Sequence, residues 1–490
     1  MTIDEQTLNK MVTNISKSTN IKPKKQKLLA EMVGMSDVYN FKIKLISDKI
    51  NNFNFLKVHH KLFGDVLTQV INITRDNKNN TFGICKVIGH RDDGKLVPIR
   101  QPFDMYDKIE LANDLFIEST IGLNRVDGAF VGTLEYHDKL KISMEFKDLL
   151  TKHIAILAKT GVGKSYTLGV ILEEIIKKNI PVIIIDPHGE YQSLRFKNDD
   201  KLIIDKLNKL GLKPMGFGDK VKLYSPDTVT NSYCEKITLP LEGMSPQDLI
   251  NSLPQKPSPA QQGLLFNILN NLNDRINFDE LIFNISNEDI NSKWALISML
   301  ETLKKTKLFT QSGTALNDLV KYKQATVINL KGVTPNISDI VVTNLLKNLF
   351  DARKKEQIPP FLLVLEEAHN FAPEKGLGKK NSNAIISLIA SEGRKFGAGL
   401  CLVSQRPAKI DKNVLSQCQT QIIMKLTNTN DLKAVTSSCE GLDKDSGNEI
   451  SRLNIGSCIL TGIIDVPLKV NVRPRFTKHG GETIGMEEIE

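Results

Sequence analysis

The sequence predicts an α/β protein: a parallel sheet covered by helices on both faces, carrying a helical insertion and preceded by a small β-barrel. Three observations predict it. From His153 onwards, apolar segments of strand length alternate with segments of helical periodicity. Before that, between about Asp37 and Phe146, short strands are punctuated by turns. Between about Glu242 and Tyr322, apolar residues recur at helical spacing with polar turns, as in Asp248-Leu249-Ile250 and Gln262-Gly263-Leu264-Leu265-Phe266. A chain of 490 residues, 40% of them hydrophobic, is long enough for two or three domains with a sizeable core.

Taken in order, residues 1–36 read as a basic arm, with Lys17, Lys22, Lys24, Lys25 and Lys27 gathered around Pro23. Residues 37–148 read as the barrel or a small sandwich. Its strand signals are Val66 to Ile73 and Thr81 to Ile88, separated by the turn-rich Asp76 to Asn80 and followed by Arg91-Asp92-Asp93-Gly94. Residues 149–475 read as the sheet and its helices. It opens with the strand His153 to Leu157 and a helix whose Leu168, Leu172 and Ile175 share a face. Apolar strands follow at Pro181 to Ile185, Thr326 to Leu330, Phe361 to Leu365, Gly399 to Val403 and Gln421 to Leu426. Continuous apolar strands separated by helices imply a parallel sheet buried on both faces. Residues 476–490 read as a tail.

Composition excludes several classes. No window approaches 18 consecutive apolar residues, so no membrane-spanning helix is expected, and the first residues lack the apolar stretch of a signal peptide. Six cysteines are scattered without a C-x-x-C pair, which argues against a zinc knuckle or a disulfide framework and fits a reducing cytoplasm. The net charge of +9 is modest; it suits a polyanionic partner or merely a lysine-rich surface.

The strongest chemical signal is Ala158-Lys159-Thr160-Gly161-Val162-Gly163-Lys164-Ser165, directly after an apolar strand and opening a helix, as in a P-loop nucleotide site. Gly161 and Gly163 let backbone N–H groups approach phosphate oxygens, and the helix N-terminus adds positive potential. Lys164 reaches the β- and γ-phosphates and Ser165 ligates Mg²⁺. Thr160, Val162 and Tyr166 complete the nucleotide-binding set. Ala158 stands where the first glycine is usual. The second signal is Phe361 to Leu365 followed by Glu366-Glu367-Ala368-His369. Successive residues at a strand end point differently, so Glu366 is the candidate for holding Mg²⁺ through water and Glu367 for orienting the attacking water. The third is Ser404-Gln405-Arg406-Pro407 at the end of the next strand, with Gln405 as a γ-phosphate sensor. Between them, Ser391 to Gly397 carries Arg394, whose flanking glycines at 393 and 397 are expected to turn the backbone outwards and present the arginine across a subunit boundary. Asp186 and Glu190 follow the second strand, where ligands collect in such sheets, and are candidate supports of the site or stabilisers of their own loop. His188 and His369 each stand alone, without a second ligand at metal spacing. The glycine- and lysine-bearing loop Glu374 to Lys380 is a candidate contact for a nucleic-acid backbone, or a solvated surface loop.

The order AKTGVGKS, DPHGEY (Asp186 to Tyr191), LEEAH, SEGRKFG and SQRP resembles that of the HerA family of hexameric DNA translocases, in the FtsK/HerA branch of P-loop motors, from about His153 to Pro474. The resemblance implies a RecA-like core and an N-terminal barrel that caps the ring. It implies ATP and Mg²⁺ as ligands, and Lys164, Glu367 and Arg394 as Walker A lysine, catalytic glutamate and trans-acting arginine finger. It also implies a homohexamer that moves along double-stranded DNA and works with a partner nuclease of the NurA kind in end processing and repair. A second reading keeps the ring but makes it the scaffold ATPase of an antiviral complex controlling an effector enzyme. A conjugation motor and a protein-unfolding ring are remoter. One departure is Lys152, where relatives often carry an arginine.

Overall fold

A computed structural model describes residues 28–123, 127–271, 276–439, 442, 446–462 and 466–480, and the chain divides into two compact units, Met1–Gly122 and Leu123–Glu490. The expected basic arm lies largely outside the described residues. Where it is described it is not an arm, because Ala30–Met32 forms a strand, β1.

The first unit is an antiparallel sheet. After β1 come β2 (Asn40–Leu45), β3 (Phe55–His60), β4 (Gly64–Arg75), β5 (Thr81–Asp92), β6 (Lys95–Val97) and β7 (Ile109–Leu111), in the spatial order β1-β2-β5-β4-β3-β7 with β6 on β5. Phe41, Ile43, Leu56, Val58, Val66 and Val70 alternate inwards and form its core. A helix, Asp114–Ile121, closes the unit; Asn113 caps its start by accepting from the Phe116 N–H at 2.8 Å.

The second unit is built on one twelve-stranded sheet. Its strands are β8 (Gly128–Leu134), β9 (His137–Glu145), β10 (Ile154–Leu157), β11 (Val182–Asp186), β12 (Val221–Ser225), β13 (Glu235–Lys236), β16 (Ala325–Asn329), β17 (Phe361–Leu365), β18 (Ala398–Ser404), β19 (Thr420–Ile423), β20 (Ser457–Thr461) and β21 (Leu468–Val472). The short β14 (Leu239–Pro240) and β15 (Phe309–Thr310) pair apart from it. The order is β13-β12-β16-β11-β17-β18-β10-β19-β20-β21-β8-β9, parallel from β13 to β19 and antiparallel from β19 to β9. The parallel strands are the apolar segments of the sequence, and β10, β11, β16, β17 and β18 are buried along their whole length.

Residues 37–148 were expected to be one β-rich domain; β8 and β9 instead pair through β21 into the large sheet, and the compact unit ends at Gly122. The alternating pattern marks Gly128 to Glu145 as strands, but a period of two says nothing about which sheet they join. Residues 476–480 are no tail either. Phe476 and Thr477 are buried, and Thr477 bridges to Lys197.

Four helices position the site: α1 (Phe146–Thr151), α2 (Lys164–Lys177), α3 (Pro335–Lys354) and α4 (Ser382–Phe396). Helix α2 was expected to bury one face, yet every residue from Thr167 to Ile176 is buried, as befits a helix enclosed on all sides. Between β14 and β16 lie the helices Pro246–Asn251, Pro259–Asn271, Phe278–Ser286, Lys293–Lys305 and Leu316–Leu319, whose Leu249, Leu265, Leu281, Leu296 and Leu300 share one core with the sheet. No helix among the described residues is long and apolar enough to cross a membrane.

Candidate active site

The central parallel strands β17, β18 and β10 lie side by side, so the residues just past their carboxyl ends are neighbours. The loop from Ala158 to Gly163 leaves β10 between β18 and β19. The Ala158 N–H donates to the Ser404 carbonyl at 3.2 Å and the Lys159 N–H to the Lys425 carbonyl at 3.0 Å. Gly161 and Gly163 take φ of +79° and +99°, and no atom lies within 4 Å of where a Cβ on Gly161 would sit. The loop is therefore open above, with Gly163 turning the chain into α2.

Lys164, first residue of α2, donates to Glu366 Oε1 at 2.8 Å and to Glu367 Oε1 at 2.6 Å. The Ser165 hydroxyl is 3.4 Å from Glu366 Oε1. Burial works against the Lys164 ammonium, but the two carboxylates outweigh it and hold its pKa above that of an ordinary lysine. Burial pushes the Glu366 carboxyl up, and Lys164 only partly restores it. Glu367 sits at φ +50°, ψ +48°, a left-handed conformation that costs a non-glycine residue about 1–2 kcal/mol, and its carboxylate converges with that of Glu366 on Lys164. The Oε2 atoms of both glutamates are buried and have no hydrogen-bond partner, as have Glu190 Oε2 and the Tyr191 hydroxyl. Buried polar atoms without a hydrogen bond are costly, and their presence on the Lys164 carboxylates and on the neighbouring Glu190–Tyr191 turn marks a place shaped for something polar.

The third motif joins the same edge. Thr160 donates to Gln405 Oε1. His369 Nδ1 meets the Ser404 hydroxyl at 3.0 Å and stands 3.3 Å from Glu367 Oε2; burial holds the His369 pKa below that of a free imidazole. Asp186, wholly buried, accepts from the backbone N–H groups of His188 (3.1 Å), Gly189 (2.8 Å) and Tyr191 (3.0 Å), so its oxygens are spent on its own loop. Burial nevertheless raises its pKa.

Arg394 is not brought to this edge. It lies in the last turn of α4, exposed, and Gly397, at φ +72°, caps the helix after it. Gly393 does not turn the backbone outwards as its position suggested. It is helical and buried, because a Cβ there would stand 2.5 Å from the Ala398 carbonyl oxygen. The seven residues of β18 separate Arg394 from Gln405, about 20 Å at strand rise, which puts the arginine at the opposite edge of the sheet. Lys152 sits at that same edge, paired with Asp148 at 2.9 Å.

Sequence reasoning did not single out Tyr191, whose buried phenol lies among Glu366, Asp186 and Glu190 and is driven well above its ordinary pKa by burial and those charges. Its position in DPHGEY was the available signal. Nor did it find Arg473 and Arg475. Both are buried against α2, where Arg473 donates to Glu173 and Glu174 at 2.9 Å each and the Arg475 N–H donates to the Tyr166 hydroxyl at 2.8 Å.

Residues 129–349 match the family described as helicase HerA, central domain. Over 464 residues the chain is 31% identical to the probable DNA double-strand break repair helicase HerA of Methanocaldococcus jannaschii, covering 86% of this chain and 91% of that protein. It is 27% identical to the DNA double-strand break repair helicase HerA of Pyrococcus furiosus, covering 90% and 86%. Among solved structures, VirB4 of Thermoanaerobacter pseudethanolicus superposes with a TM-score of 0.51 at 14% identity, over 71% of this chain and 97% of that one, a likeness of fold.

Proposed function

The chain belongs to the HerA helicase family, and from that premise we propose that it is a ring-forming ATPase that drives double-stranded DNA through its centre. One observation carries the reading: Lys164 bridges Glu366 and Glu367 at the carboxyl edge of β17, with carboxylate oxygens left over. A lysine, a magnesium-holding acid and a water-orienting acid are the parts phosphoryl transfer needs, because catalysis there is positioning and charge stabilisation.

In this reading the loop from Thr160 to Tyr166 cradles the phosphates through backbone N–H groups, and Lys164 exchanges its two carboxylates for the β- and γ-phosphates. That exchange frees Glu367 to orient and polarise water. The orphaned Glu366 oxygen and the nearby Ser165 hydroxyl fit a hard cation, which Ser165 would hold directly and Glu366 through water; Mg²⁺ there supplies charge neutralisation of the phosphates. Gln405, held by Thr160, senses the γ-phosphate. Glu190 and Tyr191 line the same pocket, and Asp186 holds their loop. The antiparallel N-terminal sheet is the small barrel, and the helices from Pro246 to Leu319 are an insertion on a RecA-like core. The exposed loop with Lys375 and Lys379, set on Gly376 (φ +90°) and Gly378 (φ +145°), contacts DNA phosphates, and a nuclease is the partner that consumes the translocated DNA.

Arg394 completes the site of a neighbouring subunit. It stands about 20 Å from its own P-loop edge and is exposed, so it has no cis role to play. Arg394→Ala is expected to cut turnover by about 10³–10⁵. Mixing Arg394→Ala with Lys164→Ala protein, each inactive alone, should restore part of the hydrolysis at interfaces that combine an intact P-loop with an intact arginine. A fully active Arg394→Ala protein sedimenting as a monomer would overturn the ring. Stimulation of hydrolysis by duplex DNA, and not by unfolded polypeptide, tests the substrate.

A further inference from the structure

His369 closes the LEEAH motif, and the mechanism above gives it no task. Its place is set by the backbone: Glu367 in its left-handed conformation turns the chain, and the short helical turn Ala368–Asn370 brings the imidazole back beside the carboxylate it follows. The ring then stands between two groups. Nδ1 is 3.0 Å from the Ser404 hydroxyl and 3.3 Å from Glu367 Oε2. Ser404 is wholly buried at the end of β18, and its hydroxyl also accepts the Arg406 N–H at 3.0 Å, which closes the turn that carries Gln405. The Ser404 carbonyl accepts the Ala158 N–H at 3.2 Å, so the same residue touches the start of the P-loop. Past this point the exits of β17 and β18 are fastened together. The Glu374 N–H donates to the Lys409 carbonyl at 2.8 Å, the Asp411 N–H to the Ala372 carbonyl at 2.9 Å, and Pro373 bridges to Ile410. His369 and Ser404 are thus held at their spacing by backbone bonds that do not involve Lys164.

Lys164 holds Glu367 by Oε1 alone, and Oε2 has no hydrogen bond. On the reading that a nucleotide draws Lys164 away to its phosphates, on which this inference rests, Glu367 loses that bond, and His369 Nδ1 is the donor that already stands beside Oε2. We propose that His369 is a positioning residue for Glu367. Once Lys164 has left, the hydrogen on Nδ1 forms a three-centre bond to Oε2 and the Ser404 hydroxyl, which fixes the plane of the carboxylate and leaves Oε1 facing the attacking water. A base has to lie within hydrogen-bond reach of the proton it takes, so a carboxylate gripped at one oxygen presents the other in a defined direction. Ser404 acts on the ring by keeping Nδ1 on the Glu367 side. Because Ser404 directly precedes Gln405, the aim of the base and the place of the γ-phosphate sensor are set by neighbouring residues of one strand end.

The test reads turnover, ATP affinity and melting separately on the full-length protein. His369→Leu is expected to lower kcat about a hundredfold, as a misdirected base does, with the Kd for ATP and the melting temperature unchanged. His369→Asn, whose amide nitrogen falls where Nδ1 stood, should recover most of that loss; His369→Gln, whose amide falls where Nε2 stood, should not. Ser404→Ala should lower kcat about tenfold in the natural protein and no further in His369→Leu, since the hydroxyl acts through the ring. In Glu367→Gln protein, His369→Leu should cost nothing more, because no base is left to aim. An unchanged kcat in His369→Leu, no rescue by His369→Asn, or losses that multiply with those of Glu367→Gln overturn the proposal and, with Lys164→Ala inactive, leave the nucleotide site standing. A Kd for ATP that weakens in step with kcat makes His369 a nucleotide contact, and a melting temperature that falls in His369→Leu and His369→Asn alike makes it structural; either result overturns the proposal. Undiminished turnover in Lys164→Ala overturns the reading of the site itself, and the role of His369 falls with it.

Discussion

Helix α2 starts in one cluster of buried charge and runs into another, and the two are built on opposite terms. At its N-terminus Lys164 holds Glu366 and Glu367, and each glutamate keeps an oxygen without a hydrogen bond, that of Glu367 standing 3.3 Å from His369 Nδ1. Near its C-terminus Glu173 has none to spare. Its Oε1 accepts from the Thr477 N–H at 2.8 Å and the Thr477 hydroxyl at 2.6 Å, and its Oε2 from Arg473 at 2.9 Å and the Phe476 N–H at 3.0 Å. Arg473 is equally spent, on Glu174, on three carbonyls and on the face of Phe476 at 3.9 Å. Burial and charge are alike in the two places. What separates the two clusters is whether their hydrogen-bonding capacity is closed or left open.

The same conservative change therefore has opposite consequences at the two ends. Glu367→Gln is expected to lower turnover by about 10²–10⁴, because the amide cannot polarise water, while nucleotide affinity holds and thermal stability does not fall. Parallel ATPase, nucleotide-binding and melting measurements check this; a lost affinity would make Glu367 a ligand holder. Glu173→Gln is expected to cost on the order of 3–5 kcal/mol, since an amide N–H would face donors and leave Arg473 short of its partner. Urea unfolding reads it, and a loss under about 1 kcal/mol would dissolve the distinction between the clusters.

His153 supplies an intermediate case: buried, at φ +45°, with Nδ1 accepting the Leu400 N–H at 3.0 Å. Burial lowers its pKa from the usual 6.5 to about 4. The unfolded chain takes the proton first, so this contribution is complete above pH 6.5 and is lost as pH falls through about 4. The linkage amounts to on the order of 3 kcal/mol. Stability measured from pH 7 to 4 should drop by that amount in the natural protein and less in His153→Gln; parallel curves would remove His153 from the account. The smallest expected effect concerns an exposed loop with nothing closed about it. Replacing Lys379 and Lys380 by alanine should lower the salt slope of DNA binding by up to about two, without touching stability. An unchanged slope takes that loop off the DNA path.

The open cluster was legible in the sequence and the closed one was not, for a physical reason. Glycines at 161 and 163, the lysine after them and a strand ending in two acids are local patterns, each fixed by what a few consecutive residues must do, and the strand-helix alternation placed them at one edge. Glu173 and Arg473 lie 300 residues apart, and each alone reads as surface charge. The same blindness to distant pairing put β8 and β9 in the wrong sheet and gave Gly393 a turn to make, when its role is to let α4 lie against Ala398. Arg394 was singled out in the sequence as an arginine presented across a subunit boundary; its place at the far edge of the sheet follows only from the direction of α4 and β18.

Gly169, in the middle of α2, couples two positions far apart in the chain. The Arg475 guanidinium lies against its backbone, with Cζ 2.5 Å and Nη1 2.6 Å from where a Cβ would be. A methyl at 169 therefore obliges that guanidinium to move, at the expense of its contacts to Thr477 and His479. What position 169 tolerates is thus set by a side chain 306 positions downstream, and shortening Arg475 widens it.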